Sequence, residues 1–253
     1  VAEAVPGGPD PVLVQAAAMV FVADLSAPGL SEADAHHLHD VLRLRPGESV
    51  IASDGRGGWI PCRLDGPPGD RGRRASATAV LEPTGPASTQ SRLAPSVTVA
   101  FAPTKGDRPE WVVQKLTELG VDRIVPLRTK RSVVRWEGER GERAVERLRR
   151  VAKEASAQSR RTWLPEVTTT MALDEMEDRL GHRPWLARPG GGRPGLSRPT
   201  VAVGPEGGWD DEELARWGSG VGLGPTVLRA ETAAVAAGTL LCALRAGVVS
   251  ALA

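Results

Sequence analysis

The chain has 253 residues, 41% apolar and 25% charged, with a formal net charge of +1. These values are those of a globular protein large enough for one or two real cores. They exclude a nucleic-acid partner argued from bulk charge, so such a partner has to be argued from local patches. Cys62 and Cys242 stand far apart without metal-ligand spacing, so neither a disulfide framework nor a zinc site is expected, and a reducing cytoplasm is the natural setting. No apolar run has the length of a membrane-crossing helix.

Residues 1–18, with Pro6-Gly7-Gly8-Pro9-Asp10-Pro11, read as a flexible extension. No basic residue precedes the apolar stretch 11–22, which argues against a signal peptide. Short strand-like runs follow at 19–23, 48–53, 59–64 and 74–81. Turn chemistry at Asp54-Gly55, Gly57-Gly58 and 65–70 separates the later runs, so 19–82 is expected to form a small β-barrel. One short helix interrupts it, N-capped by Ser31 and running through Leu38, Val41 and Leu42. His36, His37 and His39 cluster there without a second ligand group, so no metal site is expected. Phe21 and Trp59 are expected in the core rather than stacked on bases. Residues 83–95, rich in Pro, Ser, Thr and Gly, read as an interdomain linker.

From residue 96 onward the period changes. A buried strand at 97–102 leads to a helix opened by Asp107-Arg108-Pro109-Glu110, with Asp107 as N-cap and Glu110 as its capping-box partner. Val112, Leu116 and Leu119 form its buried face, and Gly120 ends it. A strand at 123–127 precedes a long helix at 141–161 with a buried stripe of Val145, Leu148, Ala152 and Ala155 and a basic remainder. Further strands fall at 184–187, 200–204 and 220–223; a helix capped by Asp210 and Glu213 lies between the last two, and a helix at 230–245 closes the chain. Strands alternating with helices imply an α/β domain with a largely parallel sheet over 96–253.

Two glycine-rich turns follow the late strands, where ligands of open α/β sheets sit. They are Gly204-Pro205-Glu206-Gly207-Gly208 and Leu223-Gly224-Pro225-Thr226-Val227-Leu228. Glycine lets the backbone approach a ligand without Cβ interference. Neither turn is a P-loop or a dinucleotide fingerprint, which disfavours a nucleotide-dependent oxidoreductase. Glu206 would repel phosphate, so the turns suit a neutral purine or a cationic centre, both of which S-adenosylmethionine carries. Local chemistry leaves open a second reading, that these are plain strand-to-helix turns.

Four blocks, taken in order, resemble one family. They are Lys105-Gly106-Asp107-Arg108 through Thr117-Glu118-Leu119-Gly120-Val121; Arg150-Val151-Ala152-Lys153-Glu154-Ala155 with Gln158-Ser159-Arg160 and Pro165-Glu166-Val167; Val203 to Gly208; and Leu223-Gly224-Pro225 with Leu228-Arg229-Ala230-Glu231-Thr232-Ala233. A further block is His37 with Val41-Leu42-Arg43 and Pro46-Gly47. The chain resembles the ribosomal RNA small subunit methyltransferase E (RsmE) family of the SPOUT superfamily. The resemblance implies an N-terminal PUA-like RNA-binding β-barrel and a C-terminal SPOUT α/β domain tied in a trefoil knot. It also implies a homodimeric cytoplasmic enzyme that uses S-adenosylmethionine to methylate uridine N3 in 16S rRNA, as naked rRNA or in the assembled 30S subunit. The alternatives are a SPOUT-type enzyme acting on another RNA, or a non-catalytic RNA-binding protein of the same fold.

Uridine N3 must lose a proton for attack, so the site needs a base or a group that stabilises the uridinate. Arg229 is the candidate for the charge, and Glu231 for taking the proton or orienting Arg229; alternatively the two form an ion pair capping the last helix. Candidate cofactor contacts are Leu186, Val203, Gly204, Pro205, Glu206, Gly207, Gly208, Leu223, Gly224, Pro225, Val227 and Leu228. Glu206 is expected to bond amides of its own loop rather than face the sulfonium. Arg43, Lys105, Arg108, Arg128, Lys130, Arg131, Arg135 and Arg160 are the candidate RNA contacts.

Overall fold

The computed structural model describes residues 10–65, 80–218 and 220–250, which fall into two compact units. One comprises Gly8–Arg92 with Ser156–Leu164, the other Leu93–Ala155 with Pro165–Ala253.

The first unit opens with α1 (Pro11–Gln15) and strand β1 (Ala18–Phe21). Next come α2 (Glu32–His36), capped by the Ser31 hydroxyl, a π-type turn over His37–Val41, then β2 (Ser49–Ser53) and β3 (Gly58–Asp65). The short strands β4 (Val80–Pro83) and β5 (Ser88–Thr89) complete it. The sheet order is β1-β2-β3-β4, with β5 also on β3. β1 runs parallel to β2, and the remaining pairs are antiparallel. A parallel first pair requires a long crossover, and residues 22–48 with α2 supply it. The central strand β2 is buried on both faces. Val50 and Ala52 pack with Val20, Leu38, Cys62 and Leu64, whereas Ile51 packs with Met19, Trp59 and Leu13. Successive side chains thus enter two small cores, as the period of two demands. Trp59 is core, as expected, and Phe21 packs half-buried against the same cluster.

Three boundaries differ from the sequence reading. Residues 10–18 are folded rather than flexible: the Asp10 carboxylate accepts from the Val12 amide at 2.8 Å, Pro11 sits in the first turn, and Leu13 is fully buried. A proline at the start of a helix gives up only an amide that had no partner there. Residues 1–9 and most of the expected strand 74–81 lie outside the described residues. Residues 83–92 are part of the first unit rather than a linker, because β5 pairs with Gly58 and Trp59 and the Gln90 amide bonds Gly57 O at 2.8 Å. Proline is tolerated on such short edge strands, which is why composition misleads here. Ser156–Leu164 also belongs to this unit. Trp163 bridges Arg56, the Leu164 amide bonds Gly55 O at 3.0 Å, and Trp163 Nε1 donates to Gln90 O at 2.7 Å. Gly57 makes this possible. Its φ is +94°, and a Cβ there would stand 2.5 Å from the Trp163 ring.

The second unit is α/β. Its elements are β6 (Thr98–Phe101), α3 (Arg108–Glu118), β7 (Arg123–Arg128), α4 (Gly138–Gln158), β8 (Glu166–Val167) and β9 (Met171–Ala172). There follow α5 (Leu173–Leu180), β10 (Trp185–Gly192), β11 (Thr200–Val203), α6 (Asp211–Trp217), β12 (Gly220–Val221) and α7 (Ala230–Arg245). The sheet order is β12-β10-β11-β6-β7-β8, with β9 also on β7, and every pairing is parallel. Its strands are short, continuous apolar runs, as expected of strands covered on both faces. One face buries Val99, Phe101, Val201 and Val203 under α3, α4 and α7; the other buries Ala100, Val125, Leu127 and Ala202 with α5, Trp209 and Trp217.

Close approaches in this unit depend on glycine. A Cβ on Gly238 of α7 would meet Leu116 of α3 at 2.6 Å, and one on Gly191 would meet the Val221 backbone at 2.4 Å. The run Gly190-Gly191-Gly192 thus lets β12 lie against β10. The chain end is anchored by a buried ion pair: the Arg245 guanidinium meets the Asp122 carboxylate and donates to Gly120 O at 2.7 Å, while Asp122 accepts from the Val97 amide at 2.9 Å. The expected capping box of α3 does not form. Asp107 makes no side-chain cap bond, and Glu110 pairs instead with Arg147 of α4 at 2.5 Å. The box on α6 does form, between Asp210 and Glu213.

Candidate active site

The carboxyl ends of β10, β11 and β12 meet around one cavity of about 720 Å³. Val203 is the last residue of β11, and Gly204-Pro205-Glu206 turns away from it in a bend closed by the Gly208 amide on Pro205 O at 2.8 Å. The 223–229 segment leads from β12 to α7 and supplies the facing wall through Leu223, Gly224, Val227, Leu228 and Arg229. Both glycine turns therefore line one cavity. Of the candidate cofactor contacts, Val203, Gly204, Pro205, Glu206, Gly208, Leu223, Gly224, Val227 and Leu228 line it. Gly207 and Pro225 lie in the same turns but not on its wall, and Leu186 is fully buried in the core beneath it.

Several wall residues escaped the sequence reading. Ala187, Arg188 and Pro189 end the regular part of β10 and form a third side, and Trp209 closes the floor. The Trp209 indole donates to Ala187 O at 2.9 Å, and its ring lies against Gly204, where a Cβ would approach to 3.0 Å. The signals were present: a tryptophan next to the first glycine turn, and the rule that strand carboxyl ends face ligands.

The charged groups are arranged otherwise than expected. Arg108, at the start of α3, lines the cavity and reaches Glu206 at 3.0 Å and Glu231 at 3.7 Å. Glu206 therefore binds a guanidinium rather than the amides of its own loop. Glu231 is largely buried, and its Oε2 has no hydrogen-bond partner. Its partner is Arg108, so the alternative pairing of Glu231 with Arg229 does not occur. Arg229 is the N-cap residue of α7, exposed, lining the cavity, and it makes no side-chain capping bond. Among the described residues Arg229 thus presents an unpaired guanidinium on the cavity wall, able to steady an anion, whereas the half-satisfied Glu231 carboxylate is off that wall and meets it through Arg108.

The remaining basic candidates divide. Lys105, Arg43 and Arg135 are exposed. Arg128 pairs with Glu175 at 3.4 Å. Lys130 contacts Glu212 and lies 3.5 Å from Asp210, and Arg131 lies 3.7 Å from Asp210. The hydrogen bond that Lys130 donates to Glu212 holds its ammonium above its ordinary pKa, so the charge persists but faces carboxylates at the start of α6. Arg160 is bound up in the first unit. Its guanidinium donates to Ala157 O at 2.9 Å, Ala16 O at 2.8 Å and Ala17 O at 3.0 Å. Burial lowers its pKa. It stands at φ +57°, a conformation that costs a non-glycine residue about 1 kcal/mol. Those carbonyl bonds explain an arginine here better than a phosphate does. Among the described residues no group of three or more His, Cys, Asp or Glu side chains could hold a metal, and no helix is long and apolar enough to cross a membrane.

Comparison with known proteins gives a consistent result. A family profile described as an RNA methyltransferase domain matches residues 91–242, and one described as an RNA methyltransferase PUA domain matches 30–71. The ribosomal RNA small subunit methyltransferase E of Synechocystis is 32% identical over 81% of this chain and 69% of its own length. A ribosomal RNA small subunit methyltransferase E from Neisseria gonorrhoeae, solved bound to S-adenosylmethionine, superposes with a TM-score of 0.71 at 25% identity, covering 90% of this chain and 96% of that one. A Legionella pneumophila protein described as a methyltransferase with bound S-adenosylmethionine gives a TM-score of 0.72 at 28% identity, covering 88% and 96%. With the cavity at the strand ends and both units matched, the chain belongs to the ribosomal RNA small subunit methyltransferase E family.

Proposed function

We propose that this chain transfers the methyl group of S-adenosylmethionine to N3 of a uridine in small-subunit ribosomal RNA. The observation that carries the proposal is the single cavity built by the two glycine turns. Its volume suits a small-molecule ligand. Its apolar wall of Val203, Leu223, Leu228 and Ala233 suits a flat purine, and the bare backbone at Gly204 and Gly224 offers hydrogen-bonding groups. Glu231, whose buried Oε2 has no partner, adjoins this cavity through the lining residue Arg108.

When bound, S-adenosylmethionine supplies an electrophilic methyl at its sulfonium; the protein has to orient the acceptor and manage one proton. Arg229, uncommitted at the cavity mouth, stabilises the negative charge that spreads onto the uracil carbonyls as N3 is deprotonated. Glu231 accepts that proton, and Arg108 steadies the carboxylate from 3.7 Å. Positioning of acceptor against cofactor supplies most of the remaining acceleration.

The C-terminal half threads into a trefoil knot in this reading. The passage from central β11 to edge strand β12, and back through 223–229 to α7 over β6 and β11, supports it. The enzyme acts as a homodimer in the cytoplasm on small-subunit rRNA, naked or in the assembled 30S subunit, with exposed Trp111, Val248 and Val249 available to a second copy. Incubation of undermethylated small subunits with labelled cofactor, followed by digestion to nucleosides, tests the chemistry. 3-Methyluridine is the expected product, and any other methylated nucleoside overturns the assignment.

A further inference from the structure

We infer that the cleft between the β6–α3 loop and the start of α4 is a subsite for the nucleotide that flanks the methylated one in the substrate RNA. The inference rests on the proposed RNA-methylating function and adds to it a place where sequence context is felt. The cleft holds about 470 Å³. Lys105 on the loop and Arg140, Arg143 and Arg147 on α4 line it, with Trp136 and Thr104 beside them. Among the described residues, two carboxylates meet these cations. Glu110 neutralises Arg147 at 2.5 Å, and Glu139 lies 3.5 Å from Arg143 in an exposed pair that solvent screens. Lys105 and Arg140 are exposed, and among the described residues neither forms an ion pair. Two uncommitted cations beside an aromatic ring match a phosphodiester and its base, since phosphate contacts position RNA while aromatic side chains stack unpaired bases.

The placement relative to the cavity gives the subsite its role. Lys105, on the β6–α3 loop, lines the cleft, and Arg108, three residues later at the start of α3, lines the large cavity. Three residues of chain span at most about 11 Å, within the reach of one or two nucleotides. An RNA strand with its target base at the mouth of the large cavity therefore carries its neighbour into the cleft. Trp136 is fixed for this purpose from behind. It packs half-buried against the core, and Gly141 lies so close to its backbone that a Cβ would come within 2.7 Å of the Trp136 carbonyl.

The test uses the full chain and a fluorescent, single-stranded uridine-rich hexanucleotide, with binding read by anisotropy. The double variant Lys105→Ala/Arg140→Ala should weaken binding at least tenfold near 0.1 M salt. It should also flatten the slope of log affinity against log salt by about 1.4, at 0.7 per lost phosphate contact on a single strand. Trp136→Ala should cost a further tenfold or so, with Trp136→Phe restoring most of it. S-adenosylmethionine affinity, read by calorimetry, should be unchanged in all of them, which also certifies the fold. Hexanucleotide affinity and salt slope equal to wild type overturn the subsite. Direct binding separates this outcome from failure of the proposed function, which would show as absent methyl transfer by the wild-type protein.

Discussion

Gly204→Ala is the perturbation that most directly couples the fold to the cofactor cavity. The added Cβ would stand 3.0, 3.1 and 3.3 Å from three atoms of the Trp209 ring. Carbon atoms pack at about 3.5–4.0 Å, so the ring must retreat by about half an ångström. Trp209 is buried among Ala100, Leu186 and Ala202 and has little space to move into. Overpacking of this kind costs about 1–3 kcal/mol, which at about 2 °C per kcal/mol for a chain of this size lowers the melting temperature by roughly 2–6 °C. The same displacement pulls the indole away from Ala187 O, 2.9 Å distant, and so disturbs the opposite cavity wall. Calorimetric titration should therefore show S-adenosylmethionine binding at least tenfold weaker, about 1.4 kcal/mol. A variant that loses thermal stability yet binds the cofactor as wild type does would refute the link between the glycine turn and the cofactor.

Other consequences concern the chemistry, the chain end and acid stability. Arg229→Ala should lower turnover far more than cofactor affinity, because the side chain is exposed, caps nothing and, in the role proposed for it, meets charge only as the reaction proceeds; equal losses of both would contradict that role. Arg245→Ala strands the buried Asp122 carboxylate and should destabilise the chain by about 3–5 kcal/mol in urea denaturation. Arg245→Met, which keeps bulk without charge, leaves the same carboxylate uncompensated and should rescue little unless paired with Asp122→Asn. Glu166 pays some desolvation, which raises its pKa, but Arg123 and Arg179 outweigh this and hold it below the usual carboxylate range. Its contribution is therefore present above the ordinary carboxylate pKa and is lost as pH falls through the lower folded value. Melting temperatures followed from pH 6 to pH 3 should drop less steeply in Glu166→Gln than in wild type.

Local pattern made much of this fold legible. Apolar continuity located β6, β7, β10, β11 and β12 but not the two-residue strands β8 and β9 or helix α5, and α7 matches its expected span at both ends because Arg229 and Arg245 bracket an Ala/Leu-rich run. The capping box of α6 was readable because Asp210 and Glu213 satisfy each other within three residues. Asp107 and Glu110 show the same signature, but Arg147, 37 positions later, draws Glu110 away, and no local rule sees that partner. Arg160 misled in the same way. Its basic helix pointed to phosphate, whereas its ligands are the carbonyls of Ala16 and Ala17, which lie at the other end of the sequence. The glycine turns were visible as turns, and their convergence on one cavity became visible only with the strand order. Trp209 and Arg188 needed that order too, since each acts on a wall contributed by another strand.

The most direct measurement is methyl incorporation from labelled S-adenosylmethionine into small subunits, large subunits and naked small-subunit rRNA, side by side, with the labelled position mapped. Stoichiometric label at one uridine N3 of the small subunit, with none in the large subunit, is the predicted result. Label in the large subunit, or no transfer by a protein that binds the cofactor, would contradict it.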